Sequence, residues 1–255
     1  MNLKNKRFVV TGSTTGIGRG IAENLLSRGA RVVINSHLPL SDEDQADLAA
    51  LGDFEFIQAD LYRPEEAIRL IEESAAKLGG LDGLVNNAGT YIRVSYLNST
   101  PADTQRLFAL NFHAGYFASQ TFAKIVGQRK FDAAIVNIGS TNSLQAERDS
   151  VMYDASKGAI LMMTRALALT LADQGIRVNG VGPGLIQTPL NNCAHADNPP
   201  LLELLHKQIP MRRTGLPSDV AGAVAFLLSP DAEYITGQML YVDGGIIAQQ
   251  MTYEV

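Results

Sequence analysis

Short apolar runs alternate with longer stretches of helical periodicity along nearly the whole chain. Phe8-Val9-Val10 is the first run, followed by a glycine-rich turn and a helical stretch over about 17–28. Gly29, free to take left-handed backbone, ends that helix. Further apolar runs at 31–35, 54–58, 81–86, 133–138, 176–181 and 239–242 read as strands. Helices are expected at 64–78, where Pro64 suits a first turn, at about 102–130 and 152–174, and at 218–228. Residues 183–215 are rich in Pro, Asn and Gly, with one short helical piece near 201–207. Repeated strand–helix–strand units predict an α/β fold, a doubly wound parallel sheet with helices on both faces. There is no linker-like stretch, low-complexity tract or fixed-period repeat. Residues 1–255 are therefore expected to form a single domain, with a substrate-loop segment at about 183–213.

Composition narrows the class. The chain has 255 residues, 46% hydrophobic and 18% charged, enough to bury a sizeable core and unlike a disordered chain. A net charge of −5 with no basic stripe argues against nucleic acid as a partner. One cysteine, Cys193, excludes an internal disulfide. The start, Met1 to Arg7, leads into no signal-peptide core, and no apolar span is long enough for a bilayer, so a cytoplasmic protein with no membrane partner is expected. His37, His113, His195 and His206 show no ligand spacing among themselves or with Cys193, and no metal is expected.

Two motifs carry chemistry. Thr11-Gly12-Ser13-Thr14-Thr15-Gly16-Ile17-Gly18 lies between the first strand and the first helix. Glycines there let the backbone close onto a pyrophosphate, and the helix start offers free N–H groups and a positive dipole end. Tyr153 and Lys157 lie four apart on one helix face. A nearby ammonium lowers a phenol's pKa and fits it for proton exchange with an alcohol or carbonyl. Asp154, also adjacent, would raise that pKa if it faced the site, but at one residue along the helix it is expected to point elsewhere.

These residues, with others in the same order, carry a resemblance. Gly12-x-x-x-Gly16-x-Gly18, Asp60, Asn86-Asn87-Ala88-Gly89, Asn111, Ser140, Tyr153-x-x-x-Lys157 and Pro183-Gly184 together resemble the short-chain dehydrogenase/reductase family over essentially the whole chain. The resemblance implies a Rossmann-type sheet, an NAD(P)(H) cofactor and hydride transfer. It implies catalytic roles for Asn111, Ser140, Tyr153 and Lys157. Tyr153 would exchange the substrate proton, and Ser140 would polarise the substrate carbonyl. Lys157 would tune Tyr153 and hold the nicotinamide ribose. Asn111 would hold a water linking Lys157 to solvent. Cofactor contacts would come from Gly12, Thr15, Gly16, Ile17 and Gly18 at the phosphates, and from Asp60, Leu61, Asn87, Ala88 and Gly89 on the adenosine side. Pro183, Gly184, Ile186 and Thr188 would meet the carboxamide end, and Tyr153 and Lys157 would also touch the cofactor. Asn86, Asn87 and Asn111 also admit plainer roles, as sheet-end hydrogen-bonders and a helix-kink residue.

By the same resemblance, Ser36 occupies the acidic position of NAD enzymes, His37 a position often Arg in NADP enzymes, and Thr15 another that is often basic. Repulsion of a 2′-phosphate is absent, which leans the expectation to NADP. Substrate contacts are expected from Ser140, Asn142, Gln145 and Tyr153. Polar residues in the expected wall, among them Asn142, Gln145, Asn191 and Asn192, favour a sugar, polyol or similar small compound. The alternatives are a 3-oxoacyl thioester reductase, for which Arg129, Lys130, Arg148, Arg212 and Arg213 offer basic docking residues, and a catalytically silent nucleotide-binding regulator. Residues 158–172 are apolar on nearly every side, and 108–122 has a similar excess, so a homo-oligomer, a tetramer, is expected. The tail 246–255 would end near a second contact between copies.

Overall fold

The computed structural model describes residues 3–129, 132–189 and 198–249. Among them, seven strands form one parallel sheet: β1 (Arg7–Val10), β2 (Arg31–Ser36), β3 (Phe54–Gln58), β4 (Gly83–Asn86), β5 (Ala133–Ile138), β6 (Ile176–Pro183) and β7 (Met239–Val242), in the order β3-β2-β1-β4-β5-β6-β7. Every neighbouring pair is parallel, as strands joined by helical crossovers must be. The inner strands β4, β5 and β6 are buried along their whole length and are mostly apolar, with Asn86, Asn137, Arg177 and Asn179 as buried polar exceptions.

The two faces sort by strand alternation. Phe8 and Val10 point to one side, into a core shared with Ile21 and Leu25 of α1 (Gly16–Ser27) and Val220 and Val224 of a late helix, Pro217–Leu228. Val9 and Val33 point to the other, against Leu70 and Ile71 of Pro64–Leu78 and Phe122 of Ala114–Val126. The strand order reverses between β1 and β4. In such sheets the ends of the flanking strands diverge there, and the crevice beyond them takes ligands.

Three elements differ from the expectation. A helix at Asp42–Leu51, here α2, was not anticipated; only its Leu48 is buried, so it carries no apolar stripe to read. Its start is set by chemistry instead. Ser41 accepts from the Asp44 N–H at 3.1 Å, and Asp42, Glu43 and Asp44 sit at the positive end of the dipole. Following α3 (Pro64–Leu78), the expected helix at 102–130 is interrupted. α4 (Pro101–Phe108) runs into a π-helical turn at Ala109–His113 before α5 (Ala114–Val126) resumes. The piece expected near 201–207 is a fuller helix, α7 (Pro199–Gln208), preceded by the long α6 (Val151–Leu171) and followed by α8 (Pro217–Leu228).

Candidate active site

The groove over the β1/β4 reversal has a volume of about 610 Å³. Its floor is the glycine turn. Gly12 and Gly16 adopt φ of +60° and +56°, backbone that favours glycine. A side chain on Gly18 would strike the Gly12 carbonyl and the Asn87 amide. Thr15 precedes α1 in extended backbone, makes no side-chain cap and is followed by no acidic residue in the first turn. The first N–H groups of α1 are thus left to an anion in the groove.

Hydrogen bonds tie this turn to neighbouring strand ends. Asn35 Oδ1 accepts from the Gly12 N–H at 3.2 Å, while its Nδ2 donates to the carbonyls of Ile57 and Ala59 at 3.1 and 3.3 Å. Asn87 Nδ2 donates to the carbonyls of Thr11 and Gly12, both at 2.9 Å, and the Thr11 hydroxyl accepts from the Asn87 and Ala88 N–H groups. Asn86 is a sheet-end hydrogen-bonder, donating to Ser119 Oγ and Asn137 Oδ1.

All the residues expected to meet the cofactor line this groove, from Gly12 and Thr15 through Ser36, His37, Asp60 and Asn87 to Gly184, Ile186 and Thr188. At the end of β2, Ser36 Oγ accepts from the Leu38 N–H at 3.1 Å. The groove also takes in Arg106 and Tyr62, which sequence reasoning missed. The Arg106 guanidinium lies 5.2 Å from the centre of the Tyr62 ring. Neither belongs to a motif, and no sequence signal marked them.

The other end of the groove holds Ser140, Tyr153 and Lys157. Ser140 stands just beyond β5, and Tyr153 and Lys157 share one face of α6. Lys157 Nζ donates to the Ile138 carbonyl at 3.1 Å and lies 5.6 Å from the centre of the Tyr153 ring. Asn111 sits in the π turn, outside the groove lining. Its Oδ1 accepts from the Thr90 N–H at 2.8 Å, and its Nδ2 donates to the Thr90 carbonyl at 3.0 Å and to Ser156 Oγ at 3.1 Å. It therefore ties the loop following β4 to α6 at Ser156, the residue before Lys157. Tyr91 meets Tyr153 edge to face, with ring centres 5.2 Å apart. Of the expected substrate contacts, Ser140 and Tyr153 line the groove, whereas Asn142, half-buried beside Ser140, and Gln145, exposed, lie outside its lining.

Burial dominates the electrostatics at this end of the groove. Burial pushes the Tyr153 phenol up to about 12, with the Ser140 hydrogen bond opposing the rise and Asp154, Glu147 and Tyr91 adding to it. Burial also pushes the Lys157 ammonium down to about 8. Asp154 does not line the groove, though its charge adds to the rise at Tyr153. One of its oxygens accepts from Asn142 Nδ2 at 2.7 Å and the other from the Glu147 N–H at 2.9 Å, so the carboxylate fastens the segment after Ser140 onto the start of α6.

Among the described residues no group of three or more His, Cys, Asp or Glu is placed to hold a metal, and no helix is long and apolar enough to cross a membrane. Asn191, Asn192, Cys193 and His195 lie outside the described residues.

A family model described as enoyl-(acyl carrier protein) reductase matches residues 12–247. A glucose and ribitol dehydrogenase homolog from Oryza sativa subsp. japonica is 38% identical over 96% of this chain and 87% of its own length. A 3beta-hydroxysteroid dehydrogenase from Eggerthella lenta is 35% identical over 96% of this chain and 95% of its own. The crystal structure of a short chain dehydrogenase from Burkholderia cenocepacia in complex with NADP superposes with a TM-score of 0.86, at 33% identity, covering 97% of this chain and 100% of that one. Likeness of this extent shows the family: the chain belongs to the short-chain dehydrogenases/reductases and is an NAD(P)-dependent oxidoreductase acting on CH–OH groups.

Proposed function

We propose that this enzyme interconverts a secondary alcohol and a carbonyl on a sugar, polyol or related small polar compound, with Tyr153 as its acid/base. The observation that carries the reading is the meeting of Ser140, Tyr153 and Lys157 at one end of a groove whose other end is a glycine turn and an uncapped helix start. The turn, with no room for a side chain at Gly18, fits a dinucleotide's pyrophosphate. The bound nicotinamide supplies the hydride acceptor or donor and, when oxidised, a positive charge that favours the Tyr153 phenolate. In oxidation the carbinol carbon gives up its hydrogen with both electrons, and Tyr153 takes the hydroxyl proton; reduction runs in reverse. Ser140 donates to the substrate oxygen, Lys157 holds the nicotinamide ribose and Asn111 fixes the backbone beside it. The three together speak against a catalytically silent regulator.

NADP is the favoured cofactor in this reading, because no carboxylate stands at the end of β2 to repel a 2′-phosphate. The relative crystallised with NADP supports it. A small polar substrate is supported by the glucose and ribitol dehydrogenase homolog and by the amide of Asn142 beside Ser140. Of the docking residues of the acyl-thioester alternative, Arg129 is paired with Asp82 and Asp132 and Arg213 with Asp219, which leaves Arg148 and Arg212, both exposed. Lys130 lies outside the described residues.

A homotetramer in the cytoplasm, built from one domain per chain, completes the proposal. Met162 and Leu169 on α6 are 59% and 81% exposed, and Tyr116 and Ile125 on α5 also face outward, an apolar surface suited to a copy of itself. Leu240 on β7 offers a second contact. The tail beyond residue 249 lies outside the described residues. The test is a screen of purified protein against sugars, polyols, keto acids and acyl thioesters with each nicotinamide cofactor. Turnover of sugars or polyols supports the reading; tight cofactor binding without turnover of any compound overturns it.

A further inference from the structure

The hydrogen bonds around Ser140 have a polarity that selects among substrates. Ser140 Oγ carries one proton and accepts from the Asn142 N–H at 3.1 Å. Its own proton is shared between Asn142 Oδ1, 3.2 Å away, and the Tyr153 phenol oxygen. The contact to Asn142 is long for a hydroxyl donor, whose usual distance is about 2.7–2.8 Å, so the proton is loosely held. The far end of the same amide is not free to turn. Its Nδ2 donates at 2.7 Å to Asp154 Oδ1, and an ionised carboxylate only accepts. The second Asp154 oxygen is held by the Glu147 N–H. Asp154 therefore sets the orientation of the Asn142 amide and presents its oxygen, an acceptor, beside the hydroxyl that must grip the substrate.

When a substrate oxygen takes the Ser140 proton, Asn142 Oδ1 loses its donor. The Thr141 hydroxyl, at 3.5 Å, is too far to replace it. The donor best placed to do so is a second hydroxyl of the substrate, on the carbon next to the reacting one, because vicinal oxygens are about one hydrogen-bond length apart.

We propose that Asp154 and Asn142 form a specificity device that recognises a hydroxyl vicinal to the reacting carbon, so that the enzyme prefers 1,2-diols, aldoses and α-hydroxy carbonyls over isolated alcohols and ketones. The proposal rests on the Tyr153-centred oxidoreductase reading and narrows its substrate class. Asn142 contacts the substrate; Asp154 acts through Asn142 as a positioning residue. A substrate without the vicinal hydroxyl leaves a half-buried acceptor unpaired, which costs about tenfold to a hundredfold in kcat/KM.

The experiment compares oxidation of trans-cyclohexane-1,2-diol with cyclohexanol, and of D-glucose with 2-deoxy-D-glucose, by the wild-type enzyme with NADP and with NAD. The compound with the vicinal hydroxyl is expected to win by about tenfold or more in the pair that is turned over. In Asn142→Ala and Asp154→Ala the ratio is expected to fall towards one, a change that a merely structural role would not produce. Cofactor affinity, read by fluorescence quenching, reports whether each variant is folded. A wild-type ratio near one overturns the proposal, as does a ratio unchanged in both folded variants. If both variants fail to bind cofactor, Asp154→Asn, which keeps the shape but no longer dictates the amide's orientation, is expected to lower the ratio, and an unchanged ratio there overturns it. Turnover of none of the four compounds, with keto acids or acyl thioesters accepted instead, overturns the sugar and polyol reading and this inference with it.

Discussion

Lys157 Nζ lies 5.6 Å from the centre of the Tyr153 ring and gives its hydrogen bond to the Ile138 carbonyl, not to the phenol. Burial drives both groups towards their neutral forms, the phenol up to about 12 and the ammonium down to about 8 from its ordinary 10.5. For the lysine, the unfolded chain binds more protons than the folded one between those two values, so its contribution to stability rises with pH across that window. Wild type should therefore gain on Lys157→Met by on the order of 2–3 kcal/mol as the pH rises from about 8 to 10.5. Urea denaturation of the two ligand-free proteins across this range checks it. A difference that stays flat would mean that the ammonium is not penalised by burial.

Cofactor choice should respond to the end of β2. Ser36→Asp places a carboxylate in the groove, where it repels a 2′-phosphate and accepts from ribose hydroxyls. The new side chain still has an oxygen for the Leu38 N–H that Ser36 now holds. The ratio of kcat/KM for NADP over NAD should fall by at least about tenfold, given repulsion of about 1–4 kcal/mol between charges a few ångströms apart. A ratio that does not move would show that Ser36 is remote from the phosphate.

The outward apolar face of α6 predicts assembly. Sedimentation at micromolar concentration should give a species well above the 27.4 kDa monomer, close to four times that mass. Leu169→Glu, at a position 81% exposed in the isolated chain, should break it into smaller species without unfolding, because the residue contributes little to the core. A wild-type monomer would refute the assembly.

How much of this was legible in sequence depends on what each element's stability rests on. The strands β3, β5 and β7 start and end where the sequence predicts, β5 buried throughout and β3 and β7 as largely half-buried edge strands. α2 was invisible, since a helix burying only Leu48 leaves no periodicity. The break at Ala109–His113 was legible only as the helix-kink role open to Asn111, because one extra residue in a turn leaves the apolar pattern nearly intact. At the site, Ser140, Tyr153 and Lys157 were readable as a spaced set. Asp154 stays out of the groove, as its place on the helix predicts, but its tie to Asn142 carries no sequence signal. The segment 141–147 folds back over the start of α6, and its amide and N–H groups draw the carboxylate in. Arg106 could not have been found, since its place in the groove depends on how α4 packs and not on any neighbour in sequence.

The central claim is that Tyr153 carries the proton. Tyr153→Phe keeps the ring, and with it the contact to Tyr91, and removes only the hydroxyl. The decisive measurement is kcat for the best polyol or sugar substrate, alongside cofactor affinity, in wild type and Tyr153→Phe. The account predicts a loss of about 10²–10⁴-fold in kcat with cofactor binding nearly unchanged. Turnover within a few-fold of wild type would contradict it.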